Sequence, residues 1–322
     1  MKKTGVILLN LGGPDSPGAV RPFLYNLFSD RDIIPLGPAF MQKPLAWLIS
    51  GLRAKRTKEA YAQIGGASSI LRITGQQADT LREALRGEGD FSVYVGMRYW
   101  HPFIEDSVRQ ACKDGIRRLI GLSLYPHYSR ATTGSTREQF GRAAGKFGLE
   151  STFISSWYDH PLYIDALVET IRMELKGHET DGVHLLFSAH SLPVSFIEEG
   201  DPYVNEIKGT VKAVIRRLRT GMPVVPPYHI SYQSKSGPVK WLEPSTDEVI
   251  VELAGKGVRR IVVVPVSFVS DHMETLYEID ILYRGLAEKH GMELGRVESL
   301  NTRPLFISTL KDLVHRASEG FQ

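Results

Sequence analysis

The chain has 322 residues, 42% of them hydrophobic and 23% charged, with 39 Lys and Arg against 36 Asp and Glu for a net charge of +3. That length favours two domains of about 150 residues, the composition is that of an ordinary globular protein, and the charge excess is too small for the basic footprint of a nucleic-acid binder. The lone Cys112 excludes an intrachain disulfide, a thiolate metal cage or an iron–sulfur cluster built from the chain's own residues, and a reducing cytoplasm is the expected compartment.

The start, MKKTGVILLNLGG, mimics a secretion signal with Lys2 and Lys3 before an apolar run. That run covers only 6–9 before Asn10, shorter than the roughly 7 to 15 residues of such signals, and reads as a first buried strand. No apolar run approaches the roughly 18 residues of a membrane span. Next comes FMQKPLAWLISGLRAKRTK at 40–58, where Phe40, Met41, Leu45, Trp47, Leu48, Ile49 and Leu52 precede a basic cluster. This describes an interfacial helix or the lip of a greasy pocket; an amphipathic helix packed on the core is the alternative. Beyond it, β-rich runs begin near 91, 117, 183, 227 and 259, with helical spacing at 104–114, 136–146, 162–175, 205–218, 246–256 and 275–289. Such alternation predicts an α/β chain of parallel sheets covered by helices on both faces. The runs form an early and a late group, two doubly wound halves with SSWYDHP at 155–161 as the hinge.

Ligands of open α/β sheets sit beyond the carboxyl ends of the strands, which directs attention to LNLGGPDSPG, GMRYWHP, LYPHYSRATTGS, SAHSLP and SDHMETLYEID. The phosphate loop GxxxxGK[ST] and the GxGxxG, HExxH and GxSxG motifs are all missing, since GRAAGKF is one residue short and carries Phe147 where a hydroxyl is needed. His190 ends the apolar run of LLFSAHSLP; it is either a core imidazole or a base able to take up protons near neutral pH. In SDHMETLYEID, Asp271, His272, Glu274, Glu278 and Asp280 crowd a strand end. A helix macrodipole accounts for one or two carboxylates in a first turn, not for those further along. Glu274 and Glu278, four apart, share a helix face and repel when both are ionised, a cost that a passing cation relieves. Oxygen donors with imidazole suit divalent iron, manganese or magnesium, handled briefly. His272 and Glu274, two apart, point in different directions on a regular helix.

Together LNLGGPDSPGAVRPFLYNLFSDRDII, GMRYWHP, YPHYSRATTGS, LFSAHSLP with GDPY, YQSKSGPVKWLEP and FVSDHMETLYEID resemble the ferrochelatase family, and the likeness runs from about residue 5 to about 315. The resemblance implies two Rossmann-like domains: 1–157, including the porphyrin lip at 40–58, and 158–322, carrying His190 and Glu274, with a C-terminal helix packing back on the first domain and the active-site cleft between the two. It implies insertion of ferrous iron into protoporphyrin IX to give protohaem, the last step of haem synthesis, by ring distortion, pyrrole N–H deprotonation and metal delivery. His190 and Glu274 inherit the catalytic roles. The same two residues, with Asp271, His272 and Glu278, inherit metal handling. Leu11, Arg98, Tyr99, Tyr125, Trp241 and Phe268 map to the walls of the porphyrin site, and Arg53, Tyr61 and Ser68 to its propionates.

Leu282 stands where members of the family continue the acidic ladder, and Ser69 of GGASS replaces a proline. The chain stops at Gln322 without the cysteine-bearing tail of animal members, so neither an iron–sulfur cluster nor any other permanent cofactor is expected. Iron enters as substrate beside the porphyrin. Peripheral contact with the inner face of a membrane and a homodimer are further expectations. Two readings compete: a chelatase for coproporphyrin III or sirohydrochlorin, whose extra carboxylates want more cationic side chains, and a haem or porphyrin carrier without turnover, which has no use for an acidic track.

Overall fold

The computed structural model describes residues 3–31, 33–176 and 182–321. The chain divides into unit 1, Met1–Ser156 with Ile307–Gln322, and unit 2, Trp157–Phe306. The division after Ser156 lies within the segment 155–161.

Unit 1 contains β1 (Thr4–Asn10), α1 (Val20–Ser29), α2 (Gln42–Ala62), α3 (Ile70–Ala84), β2 (Phe91–Met97), α4 (Ile104–Lys113), β3 (Arg118–Ser123), α5 (Ser135–Lys146) and β4 (Glu150–Ile154). Its sheet is wholly parallel in the order β2-β1-β3-β4. β1 is buried along its whole length, as expected of a central strand with both faces covered. On one side Ile7 and Leu9 pack with Ile104, Val108 and Ala111 of α4 and Phe140 and Ala143 of α5. Helix α4 carries Glu105 and Asp106 in its first turn and Lys113 in its last, charges that complement its dipole. Helix α2 buries the small residues Ala46, Ser50 and Ala54 and leaves Phe40, just ahead of it, 79% exposed, Trp47 61% and Leu52 74%. Phe40, Trp47, Leu48 and Leu52 therefore face outward, while Met41, Leu45 and Ile49 are half-buried.

Unit 2 contains α6 (Pro161–Leu175), β5 (Val183–His190), α7 (Val194–Glu198), α8 (Tyr203–Arg219), β6 (Tyr228–Gln233), α9 (Thr246–Gly255), β7 (Arg260–Pro265), a π-helical segment (Glu274–Tyr283) leading into α10 (Arg284–Lys289), and β8 (Glu293–Arg296). This sheet too is parallel, in the order β6-β5-β7-β8, the same topology as unit 1. The chain moves outward from β5 to β6 and then returns to the far side of β5 as β7. The carboxyl ends of β5 and β7 therefore flank the switch point at which doubly wound sheets bind ligands. The last helix, α11 (Pro304–Glu319), begins in unit 2 and from Ile307 belongs to unit 1, where His315 lies edge-on to Phe91 at 5.8 Å. Among the described residues no helix is long and apolar enough to cross a membrane.

Five elements go beyond the sequence reading: α1, α3, the short α7 and the edge strands β4 and β8. A regular helix was expected at 275–289; its first part is π-helical instead, with consequences for the acidic track.

Candidate active site at the strand ends of unit 2

His190 is the last residue of β5, and Ser-Leu-Pro stops the strand there. Its main chain is pinned from both sides: the amide donates to Ser267 Oγ at 3.0 Å, and the carbonyl accepts from Tyr203 Oη at 3.0 Å. Burial pushes the Tyr203 hydroxyl up, so it remains a donor. The ring is fixed by Glu274, whose Oε2 lies 2.9 Å from His190 Nδ1. A carboxylate only accepts, so Nδ1–H donates and the neutral imidazole keeps its lone pair on Nε2. Phe268 stands edge-on to His190 at 6.4 Å and to His272 at 4.6 Å.

Three electrostatic environments follow. Burial lowers the proton affinity of His190, but Glu274 and, further off, Glu278 outweigh it and raise the imidazole above its ordinary value. Burial likewise pushes Glu274 up, but His190 and His272 hold it below the usual carboxylate range. Glu278 goes the other way: burial, then the charge of Glu274, push it to about 7. One carboxylate is held ionised and its neighbour titrates near neutrality, the separation that distinguishes acid and base roles in a shared site.

His272 precedes the π segment, and its Nδ1 donates to the Ser270 carbonyl at 2.9 Å. Its Nε2 lies 4.0 Å from Glu274 Oε2. This corrects the expectation that His272 and Glu274 point apart: His272 sits in the loop ahead of the helix, where helical periodicity does not apply.

The track is also held from β6. Gln233 Nε2 donates to the Glu274 carbonyl and to Glu278 Oε2, both at 3.0 Å, and Ser234 Oγ donates to Glu278 Oε2 at 2.5 Å. Ser188 Oγ donates to Gln233 Oε1 at 2.7 Å, which turns the amide so that its nitrogen faces the acids. Ser234 has φ of 70°, a left-handed conformation that a non-glycine residue adopts only where its surroundings impose it. The other two acids of the stretch face elsewhere. Asp271 accepts from Arg296, Ser299 and Asn301, and Asp280 from Arg296 and Arg284. Within SDHMETLYEID the track facing His190 thus consists of Glu274 and Glu278. Among the described residues no three His, Cys, Asp or Glu side chains form a cage for a resident metal.

The residues assigned to the porphyrin lie in both units. In unit 2, Trp241 is half-buried and bridges to Pro193 just after His190. In unit 1, Leu11, Ser68 and Tyr125 are half-buried and follow the strand-end pattern or abut it. Arg98 pairs with Asp30 at 2.6 Å, and the buried Tyr99 donates its hydroxyl to the same carboxylate at 2.6 Å. Tyr61 is buried, whereas Arg53 is exposed on α2 with its guanidinium 5.5 Å from the ring of Phe28. Sequence reasoning missed Gln233, Ser234, Tyr203 and Arg296. YQSKSG follows a predicted strand, so the strand-end rule that selected His190 also reaches Gln233 and Ser234. Arg296 carries no such signal.

A family model described as Ferrochelatase matches residues 3–318. The chain is 50% identical to a ferrochelatase of Desulfotalea psychrophila, over 98% of this chain and 97% of that one. It is 51% identical to one of Geotalea uraniireducens, over 98% of each. Among solved structures, SirB from Bacillus subtilis with Fe3+ aligns with a TM-score of 0.58 at 13% identity, over 99% of this chain and 98% of that one. A sirohydrochlorin chelatase, SirB of Bacillus subtilis subspecies spizizenii in complex with cobalt, aligns with a TM-score of 0.54 at 14% identity, over 98% and 96%. At these identities the two structures speak for the fold alone.

Proposed function

The chain belongs to the ferrochelatase family and inserts iron into a porphyrin, and from that premise we propose how its residues divide the work and that the porphyrin is protoporphyrin IX. Metallation replaces two pyrrole protons by one Fe2+ and releases both protons. The site needs a base that faces the ring, a ligand that delivers the cation, and a route for the protons.

His190 is the base, acting through Nε2, the nitrogen left with a lone pair once Nδ1–H is committed to Glu274. Glu274 carries incoming Fe2+, with His272 Nε2 and Glu278 beside it. The two tasks are coupled by charge. While Glu274 is unoccupied its negative charge favours the imidazolium; a cation arriving at that carboxylate cancels the support and lowers the proton affinity of His190. Iron delivery therefore clears the base for the next pyrrole proton. Glu278, poised near neutrality, is the adjacent acceptor for what His190 gives up. Asp271, whose oxygens are taken up by Arg296, Ser299 and Asn301, supports the track and leaves the cation to Glu274. Trp241 and Phe268 supply flat apolar area of the kind that stacks on a macrocycle, as does Tyr125 in unit 1, where Leu11 adds aliphatic area and Arg98 and the buried Tyr99, joined through Asp30, back the wall; Arg53, Tyr61 and Ser68 serve the propionates. The outward apolar face at Phe40, Trp47 and Leu52 supports peripheral contact with a membrane.

The observation that carries this reading is the 2.9 Å contact between His190 Nδ1 and Glu274 Oε2. Its test is anaerobic metallation followed by absorbance, with protoporphyrin and coproporphyrin offered separately. The wild type turns over protoporphyrin faster. His190→Ala loses insertion by about 100-fold or more, the scale of a missing general base, while porphyrin binding by fluorescence quenching persists. Retained turnover in His190→Ala removes the base assignment, and faster use of coproporphyrin replaces the substrate.

A further inference from the structure

Asp271 and Asp280 stand nine residues apart, and a single guanidinium holds them both. Arg296, at the end of β8, places Nη1 2.9 Å from Asp271 Oδ1 and Nη2 2.9 Å from Asp280 Oδ2, and its Nε donates to the two Asp280 oxygens at 2.9 and 3.0 Å. The arginine side chain is only 10% exposed. Were 271–280 one α-helix, nine steps of about 100° would leave its two ends on opposite faces. The π-helical register from Glu274, with its wider turn, and the loop ahead of it bring both acids to one side, and Glu274 and Glu278 to the other.

We propose that Arg296 is a positioning residue for iron insertion: by gripping Asp271 ahead of the π segment and Asp280 within it, Arg296 sets the wide turn in which Glu274 reaches His190. This deepens the proposed function and rests on it. The remaining contacts fit a locating device. Asp271 also accepts from Ser299 at 2.9 Å and Asn301 Nδ2 at 2.8 Å, and its amide donates to Asn301 Oδ1 at 3.0 Å. Arg284 holds Asp280 from the next turn and donates to the Leu294 carbonyl at 2.7 Å. β8 and the loop after it are thereby tied to the acidic stretch at two points, on the side away from the imidazole. Partners that orient metal-handling residues from behind change metal use by about 10- to 100-fold when removed.

The test is Arg296→Lys in the full chain. Lysine keeps the charge but is a point donor that cannot fork to two carboxylates. The variant is expected to unfold within a few degrees of the wild type and to bind porphyrin within about twofold, while KM for Fe2+ rises about tenfold. Combined with Glu274→Gln, it is expected to add little to the loss seen with Glu274→Gln alone, because both act on the same carboxylate. Unchanged KM for Fe2+ in a folded Arg296→Lys, or losses that simply add in the double variant, overturn the clamp. Should the lysine chain not fold, Asp280→Asn, which leaves the Asp271 contact in place, is measured in the same way with the same two criteria. A wild type that fails to metallate any porphyrin overturns the proposed function and the clamp with it; an active wild type with an indifferent Arg296→Lys overturns the clamp alone.

Discussion

Glu278 is a half-buried acid whose partners are donors, Gln233 and Ser234, yet desolvation and the neighbouring charge of Glu274 still raise it to about 7 from an ordinary 4.5. A folded-state value above the unfolded one means that the native chain holds this proton more tightly. Its contribution to stability is complete below pH 4.5 and is lost as pH rises through 7. Gln mimics the protonated form at every pH. In metal-free protein Glu278→Gln should therefore match the wild type near pH 5 and exceed it at pH 8, by on the order of 3 kcal/mol for a shift of this size. Urea midpoints at the two pH values decide it; equal midpoints at pH 8 would mean that Glu278 is ionised without cost. The same residues show what a sequence reveals at this scale. His190 and Glu274 were legible because each follows an apolar strand, and strand ends are where doubly wound sheets bind. Gln233 obeyed the same rule but is neutral, and nothing in its identity announces chemistry. Arg296 was invisible, because its meaning lies in the acids it reaches, 16 and 25 residues away.

The sequence revealed all four central strands and the edge strands β2 and β6, but neither β4 nor β8 at the opposite edges. VILLN and RIVVVP are almost purely apolar because both faces are covered, and that composition is its own signal. β4, ESTFI, is half-exposed at an edge and β8 has four residues, so neither carries a long apolar run. The π segment was unreadable for a different reason: its apolar spacing resembles that of an α-helix, and its register depends on outside donors such as Gln233, which occupies the Glu274 carbonyl. Packing between elements can nevertheless be tested at one glycine. A Cβ on Gly121 of β3 would lie 2.8 Å from Phe153 Cδ2 and 3.0 Å from Phe140 Cε1, two rings that touch at 5.6 Å. Gly121→Val should thus cost about 1 to 3 kcal/mol by overpacking, although valine is the better strand former. A denaturation midpoint at or above that of the wild type would show that α5 and β4 yield without cost.

At the scale of the whole chain, unit 1 is assembled from two stretches distant in sequence, Met1–Ser156 and Ile307–Gln322. The second stretch belongs to its core. Leu310 and Val314 are fully buried and Phe321 nearly so. The Arg118 guanidinium lies 5.6 Å from the ring of Phe321. Glu88 accepts from Lys311 at 2.5 Å and pairs with His315 at 2.7 Å, but Glu88, Lys311 and His315 are all partly exposed, and such surface pairs contribute little. The apolar residues decide the outcome: burying each is worth about 1.5 to 3 kcal/mol, and three of them rival the whole net stability of an ordinary domain. A chain ending at residue 306 keeps every strand of both sheets and every residue of the His190 and Glu274 site. It should nonetheless lose the native packing of unit 1, while the sheet of unit 2 is left with all its own residues. Hydrogen exchange followed by mass spectrometry distinguishes the cases. Protection is expected to fall throughout β1, β2 and β3 and to persist in β5 and β7. Uniform retention would show that the first 156 residues fold without the terminal helix, and uniform loss that the two units unfold as one.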